Sequence, residues 1–400
     1  MRVLIVGGKL QGVEAAFLAR EAGWEAVVVD RVSVPPASGM CEEFHCLDVV
    51  NETAALCRLL DKERIDLIIP ALEDGVALRT LEKSASATST PLAYDAAAYS
   101  VTHSKKRSNL LFTKLAIPQP RSWPACGFPI IAKPSVASGS QGVVRIDNEE
   151  EFGCFRKRTG TGIRDWVLQE YLDGISYSIE VLGVAGKYTA LQVTELEMDD
   201  GYDCKRVIAP ARISGLLERR IRELALEIAS GINLTGLMDV ELVLDGGVLR
   251  VFEIDARLPS QTPVAVYQST GINMLKMLGE IFVGGMLSSV PEIGNTRSVV
   301  YEHVMVSGTR TEVLGEHIMA DAGPLEVIPG FFGADVGLSS FGQGDSPFAA
   351  TLINSGATDE QAWAKRDGVM KNLEHYNERA ACPEERCIAP GITAVPLSRG

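Results

Sequence analysis

Two short segments carry the residue types most able to do chemistry, Met238-Asp239-Val240-Glu241 and Phe252-Glu253-Ile254-Asp255-Ala256-Arg257, joined through Asp245-Gly246-Gly247. The alternation and the tight turn predict an antiparallel hairpin over 236–244 and 247–254. Strand side chains alternate between faces, so Asp239 and Glu241 share one, as do Glu253, Asp255 and Arg257, and the acids can converge at one end. Carboxylates gathered in this way need a cation. Magnesium suits them, because it takes a few carboxylates and completes its shell with phosphate oxygens and water, and Glu241, Glu253 and Asp255 can supply the oxygens. Arg257 would then face a phosphoryl group in transfer and neutralise charge as it develops. The plainer alternative is a solvated polar hairpin face.

Lys133 closes an apolar run and is followed by Pro134 and the small-residue loop 135–142. Such a loop can lay backbone N–H groups on phosphate oxygens while the lysine adds a point charge. It lacks GxxxxGK[ST], so it is no Walker loop, and Gly/Ser loops are commonly turns and nothing more. Gln169-Glu170-Tyr171-Leu172-Asp173-Gly174 leaves a strand for a loop, where backbone groups can meet an adenine edge; an ordinary strand end reads equally well.

These parts need elements to hold them. Strands are predicted at 128–133, 142–146, 166–170, 177–183 and 189–194, with a helix over 149–157, as a small mixed lobe; a helix over 216–232 precedes the hairpin. Upstream, apolar runs at 2–6, 26–29 and 66–70 alternate with helical patterns at 12–22 and 53–62, which predicts a parallel, Rossmann-like sheet. Its first turn tempts toward a dinucleotide site with Asp30 as the ribose acid, and hence toward an NAD-dependent oxidoreductase. Counting from Gly7, however, the fingerprint needs glycine where Lys9 stands. A helix over 103–116, with Lys105, Lys106 and Arg107 near its start, leads to the break at Ile117-Pro118.

With 400 residues, 46% hydrophobic and 22% charged, the chain has material for two or three packed units. A net charge of -14 without a basic run speaks against nucleic acid as a partner. The N-terminal apolar run is too short for a signal or a membrane span, which predicts a cytoplasmic protein without a membrane partner. Eight cysteines without CxxC spacing are expected to be reduced, Cys382 and Cys387 being the pair near enough in sequence to join or bind something. The last amphipathic helix is expected near 359–376, and the tail past it is expected to be poorly ordered.

The order of parts, with a lysine in the linker helix, a lysine before a Gly/Ser loop, a QEYxxG connector and paired acids ending in EIDAR, resembles the ATP-grasp superfamily. The resemblance implies an α/β fold with α+β grasp lobes: a Rossmann-like domain (1–100), a linker helix and small lobe (101–190), a large lobe (191–378) and a tail (379–400). It implies ATP and Mg2+ as cofactors. Lys105, Lys133 and Ser140 would meet phosphates, Glu170, Tyr171 and Leu172 adenine, and Glu241, Glu253 and Asp255 magnesium. Lys9, Leu10 and Gln11 would reach the nucleotide site from the first domain. Many members have asparagine where Asp255 stands; aspartate keeps the oxygen and raises the local charge.

The stretches GGKLQGVEAA, SYSIEVLG, YDC, MDVE, EIDARLPSQTP, GIN and YEHVM resemble, more narrowly, the ATP-grasp ligases of pyrrolysine biosynthesis. That likeness implies joining the carboxylate of 3-methyl-D-ornithine, or D-ornithine, to the side-chain amine of L-lysine through an acyl phosphate. Ser178 and Glu180 would hold ammonium groups, with Asp239 and Glu195 in reserve, and Arg257 and Ser260 would meet the activated carboxylate. A ligase of the D-alanine–D-alanine type would share the phosphate and metal parts. Oligomeric order stays open, a homodimer being one option.

Overall fold

The apolar runs Arg2–Val6 (β1), Glu25–Asp30 (β2) and Leu67–Pro70 (β4) pair in parallel in the computed structural model, joined at the edge by Glu43–Cys46 (β3), in the order β3-β2-β1-β4. The structure describes residues 1–137, 139–287, 296–308, 310–342 and 347–380. The strands are apolar on both sides because both faces are covered. Val3 and Ile5 pack with Phe17 of helix Leu10–Glu21 (α1), and Leu4 and Val6 with Leu56 and Leu81 of helices Thr53–Lys62 (α2) and Gly75–Thr88 (α3). β3 escaped the sequence reading because Glu-Phe-His-Cys has no apolar run.

The first turn serves the chain itself. At Gly7, where φ is 105°, a Cβ would lie 2.3 Å from the Ala71 carbonyl oxygen. The Gly8 N–H donates to Asp30 Oδ2 at 2.7 Å, and the Val32 N–H to Asp30 Oδ1 at 2.8 Å. Asp30 thus braces the turn after β1 and the end of β2, a structural role that accounts for it without a dinucleotide.

A short helix, Ala96–Thr102 (α4), precedes helix Lys105–Lys114 (α5), which occupies the place of the linker helix expected over 103–116; extended backbone at Ser104 separates the two. The strands Ile130–Pro134 (β5), Val144–Ile146 (β6) and Trp166–Glu170 (β7) form an antiparallel sheet in the order β6-β5-β7. Helix Glu149–Thr159 (α6) closes it with Phe152 and Phe155 on Ile130 and Ala132. A second antiparallel sheet begins at Ile175–Val184 (β8), Lys187–Met198 (β9) and Cys204–Ala209 (β10). Helix Gly215–Gly231 (α7) covers one of its faces, and Gly236–Asp245 (β11) and Val248–Asp255 (β12) complete one edge.

Helices Thr262–Thr270 (α8) and Met274–Phe282 (α9) pack between this sheet and α1. Ser298–Ser307 (β13), Arg310–Val313 (β14), Glu326–Pro329 (β15), Val336–Ser339 (β16) and Phe348–Gly356 (β17) extend the sheet to ten strands, in the order β12-β11-β8-β9-β10-β13-β17-β16-β15 with β14 on β13. Helix Asp359–Ala380 (α10) lies over the extension and is tied down where the buried Glu302 accepts from Arg206 Nε at 2.9 Å and Arg366 Nε at 2.7 Å.

One expected boundary moves. β8 and the start of β9 were assigned to the small lobe, which was to end at residue 190; they pair with β11 and β10 in the large sheet, so the small lobe's strands end at Glu170. Alternation alone says that a segment is a strand and not which sheet receives it. The six described cysteines are free, while Cys382, Cys387 and the tail from 381 lie outside the described residues. No described helix is long and apolar enough to cross a membrane.

The first domain is pinned to the large sheet by a buried acid, Glu14 of α1. Its Oε2 accepts from the Val264 N–H at 3.0 Å and its Oε1 from the Tyr301 hydroxyl at 3.0 Å. Helix α8 has no side-chain cap of its own, so Glu14 satisfies one of its first N–H groups from another domain. Burial pushes the Glu14 carboxyl up to about 8 against the hydrogen bonds from Val264 and Tyr301, with the charge of Glu316 adding to the rise and Glu180 also facing it.

A carboxyl raised on folding contributes stability that is complete below its unfolded pKa and is lost as pH climbs to the folded value. The melting temperature is therefore expected to fall between about pH 5 and about pH 8.5, and to fall less steeply in Glu14→Gln. Thermal melts across that range check this; parallel curves for both proteins would sink it.

Candidate active site

The acids reach one face through a break in strand pairing. Asp239 lies opposite Asp255 and Glu241 opposite Glu253, but Leu242 pairs with Val251, so Phe252 is an extra residue. Leu249 and Val251 on one side of this bulge, and Ile254 and Ala256 on the other, all join the core behind the sheet. Strict alternation would put 249, 251, 253 and 255 on one face; the bulge shifts the phase and turns Glu253 and Asp255 to the opposite, cleft side.

Three cations answer these acids. Lys105 Nζ lies 2.7 Å from Glu253 Oε1 and Lys133 Nζ lies 3.4 Å from Glu253 Oε2. Lys133 also donates to the Phe252 carbonyl at 3.1 Å, and Lys105 to the Ala137 carbonyl at 2.5 Å. Arg257 Nη2 meets Asp255 Oδ2 at 2.9 Å and Glu73 Oε1 at 2.5 Å, and Gln11 Nε2 donates to that same Glu73 oxygen at 2.9 Å. Ser178 donates to Asp239 Oδ1.

The charge states follow from this geometry. Burial works against a charged Glu253, yet Lys133 and Lys105 hold its carboxyl below the ordinary range. Burial drives Glu241 well up, helped by Asp239 and Glu253. Burial raises Asp255 to about 7 against the pull of Arg257, and Asp239 to about 6 against the Ser178 hydrogen bond. Burial lowers Lys133 against the attraction of Glu253. Asp255 Oδ1 is buried without a hydrogen-bond partner. Adjacent hard oxygens that disfavour one another's charge, one of them unpartnered, fit a divalent cation.

The cleft in front of the acids encloses roughly 410 Å³ between the small and large lobes. Its apolar lining includes Ile131, Val143, Leu172, Met198 and Val243, a surface suited to a planar base. The Glu170 carboxylate accepts from the Arg121 N–H at 2.9 Å and pairs with Arg121 Nε at 2.7 Å and Arg250 Nε at 3.1 Å. Its side chain is therefore spoken for, and the connector 171–174 lines the cleft where strand pairing has ended. The loop after β5 closes on the large lobe: Ser140 Oγ donates to the Tyr202 carbonyl at 2.5 Å, and the Tyr171 and Tyr202 rings meet edge-on at 6.5 Å. Ser138 lies outside the described residues.

Comparisons with known proteins agree with this arrangement. Residues 104–261 match the ATP-grasp domain family and residues 3–91 the PylC-like N-terminal domain family. A 3-methyl-D-ornithine–L-lysine ligase of Methanosarcina barkeri is 32% identical over 305 residues, 76% of this chain and 79% of that one. The chain belongs to the PylC-like branch of the ATP-grasp superfamily. The ligase of the same description from Methanosarcina acetivorans is 33% identical over 306 residues, 76% of this chain and 80% of that protein.

Among solved structures, Campylobacter jejuni biotin carboxylase in complex with an ATP ligand superposes with a TM-score of 0.73 at 14% identity, covering 96% of this chain and 95% of that one. The L-amino acid ligase of Bacillus licheniformis gives 0.68 at 18% identity, covering 93% and 97%. At these identities the likeness is one of fold. As an ATP-grasp protein of the PylC-like branch, the chain is an ATP-dependent carboxylate–amine ligase.

In this PylC-like protein the residues singled out from sequence fall into three groups. Lys105, Lys133, Ser140, Glu170, Tyr171, Leu172, Ser178, Asp239, Glu241, Glu253, Asp255, Arg257 and Ser260 all line the cleft. Glu180 is fully buried one step farther along β8, outside the lining, its oxygens without a partner in full hydrogen-bonding geometry and faced by the Thr262 side chain. The rest correct the expectation. Lys9 pairs with Asp321 at 3.0 Å and, like Leu10, lies away from the cleft; Gln11 reaches it only through Glu73.

Glu195 is on the wrong face: Leu196 and Met198 line the cleft, so by alternation Glu195 points to the other side, toward Arg212 and Asp359. Glu73 was missed, although it follows β4 at the carboxyl end of a parallel sheet, where such folds place ligands. Glu316 was missed because nothing in its local pattern marks it.

Glu73→Gln keeps the shape of the Glu73 side chain but loosens its grip on Arg257. Turnover is expected to fall by about tenfold or more through misplacement of the guanidinium, with the melting temperature nearly unchanged. Steady-state kinetics beside a thermal melt check this; wild-type turnover would show that Asp255 alone positions Arg257.

Proposed function

We propose that the enzyme activates the carboxylate of 3-methyl-D-ornithine as an acyl phosphate and joins it to the side-chain amine of L-lysine. The observation that carries the activation step is the pairing of Glu253 with lysines from two other segments, next to acids that need a cation. The named relatives carry the choice of substrates. Glu241, Glu253 and Asp255 would hold magnesium, which when bound screens the nucleotide phosphates and orients them.

The two lysines serve as stand-ins for that charge. When nucleotide enters, Lys105 and Lys133 turn from Glu253 to phosphate oxygens, and the small-residue loop closes over them through Ser140. The connector 170–172 receives the adenine edge. Arg257, held by Glu73 and Asp255, aligns the substrate carboxylate with the terminal phosphoryl group and stays on the oxygens that gain charge. The carboxylate oxygen forms a bond to phosphorus as the bond to the bridging oxygen of ADP breaks.

The lysine nitrogen, having shed one proton, then attacks the acyl carbon. Phosphate leaves as hydrogen phosphate with the second proton, and 3-methylornithyl-N6-lysine and ADP are the other products. Closure of the cleft keeps water from the acyl phosphate. Ser178 and Asp239, already hydrogen-bonded to one another, lie beside Arg257 and would take the α-ammonium of the carboxyl donor.

Purified protein given ATP, magnesium, L-lysine and D-ornithine or its 3-methyl form is expected to yield ADP and the amide in equal amounts, read by mass spectrometry. ADP formed only with another amino-acid pair, such as two alanines, would overturn the substrate assignment and leave the ligase chemistry standing. Glu253→Gln is expected to lose ligation by about a hundredfold or more while remaining folded by circular dichroism. Normal turnover in that variant would sink the metal assignment.

A further inference from the structure

The end of the cleft beyond Arg257 is rich in buried acceptors with lone pairs to spare. Gln261 Oε1, Thr262 Oγ1 and Glu316 Oε2 are buried, line the cleft and have no partner in full hydrogen-bonding geometry, although the Gln261 and Ser260 side chains face Glu316 and the Thr262 hydroxyl faces Glu180. The orientation of the Gln261 amide is settled by chemistry, because its nitrogen donates to the Cys204 carbonyl at 3.2 Å, an atom that its oxygen could not approach. Glu316 forms no ion pair with a lysine, arginine or histidine among the described residues.

The backbone fixes this group in place. Gln261 sits at φ 68° and ψ -56° in a three-residue turn closed by the Thr262 N–H on the Ser260 carbonyl at 2.8 Å. Turns of this kind are strained and persist where the surroundings enforce them. Glu316 is clamped on both sides: the Gly315 N–H donates to Asp199 Oδ2 at 3.0 Å and the His317 N–H to Asp203 Oδ2 at 2.9 Å. At Gly315 a Cβ would come within 2.3 Å of Asp203 Oδ2, so only glycine permits the clamp. Arg257 lies near enough for its charge to act on Glu316, and its own Nε is buried and unpartnered.

An arginine with a free donor stands at one end, and a carboxylate that no cation of the described residues pairs, beside two neutral acceptors, stands at the other. That pattern matches a molecule with a carboxylate and, several bonds away, a group with N–H donors and a positive charge. A primary ammonium has three such donors for the three acceptors. We propose that Glu316, Gln261 and Thr262 form a subsite for the side-chain ammonium of the carboxyl-donating substrate, making Glu316 the residue that selects a diamino acid there. This rests on the ligase reading above and adds a determinant from outside the segment matched to the ATP-grasp family.

Hydroxylamine in place of lysine isolates the first half of the reaction, since it converts the acyl phosphate to a hydroxamate and releases phosphate. The test compares kcat/KM for hydroxamate formation from D-ornithine and from D-norvaline, which lacks the side-chain ammonium, in wild type and Glu316→Gln. Wild type is expected to favour D-ornithine by about a hundredfold or more, because norvaline leaves buried acceptors unpaired. The variant is expected to reduce that ratio to within about tenfold, with the KM for ATP unmoved.

A ratio undiminished in Glu316→Gln overturns the subsite. Absence of hydroxamate from any diamino acid in wild type would instead overturn the substrate reading on which the subsite rests. If Glu316→Gln does not fold, Thr262→Val takes its place, with a smaller drop in the ratio expected and no drop overturning the proposal.

Discussion

The burial of four neighbouring acids, Asp239, Glu241, Glu253 and Asp255, is the constraint around which the rest of the molecule is arranged. Each would be unremarkable in water; in the cleft burial, with the charge of neighbouring acids added, pushes Asp239, Glu241 and Asp255 toward the neutral form. Glu253 alone keeps a carboxyl held low, and the lysines that do this come from elsewhere, Lys105 from α5 and Lys133 from β5. Arg257 brings in the first domain through Glu73. The acidic hairpin is therefore the electrostatic meeting point of α5, which shares its core, of β5, which is packed in a separate core, and of the first domain.

Much of this could be read from one-dimensional pattern, because alternation and capping are local. The hairpin and the β5 loop follow from alternation and turn residues, the helix α7 from helical spacing of its apolar residues, and the first parallel strands from short apolar runs. The phase shift at Phe252 does not, since no glycine or proline marks it; the adjacent apolar pair Val251-Phe252 is its only trace. The sequence reading still placed Glu253, Asp255 and Arg257 together, because counting forward from Glu253 never crosses the bulge.

Where the reading failed, the deciding fact was non-local. Glu195 and Leu196 alternate as expected, but the cleft takes the apolar side of β9, leaving the acid to the far face with Arg212. Lys9 was given a role by resemblance and is held instead by Asp321. β8 was assigned to the nearer lobe in sequence, whereas its partner β11 begins at Gly236, long after it. Glu73 reaches Arg257 from the first domain and Glu316 enters the cleft from the segment past β14, and only tertiary folding brings them to Arg257 and Gln261.

The strained turn at Gln261 also bears on how the chain assembles. Its neighbours are fixed by Glu14 through Val264, by the Cys204 carbonyl, and by the clamped segment around Glu316. These contacts span nearly the whole length of the chain, and contacts so distant in sequence form late because a large loop must close first. The turn is thus a final assembly step, reached only after the parallel sheet and the large antiparallel sheet have met. A chain that has not yet reached Glu316 carries every residue of the acidic hairpin but lacks one of the segments that hold this turn, so the far end of the cleft is complete only in the full-length fold.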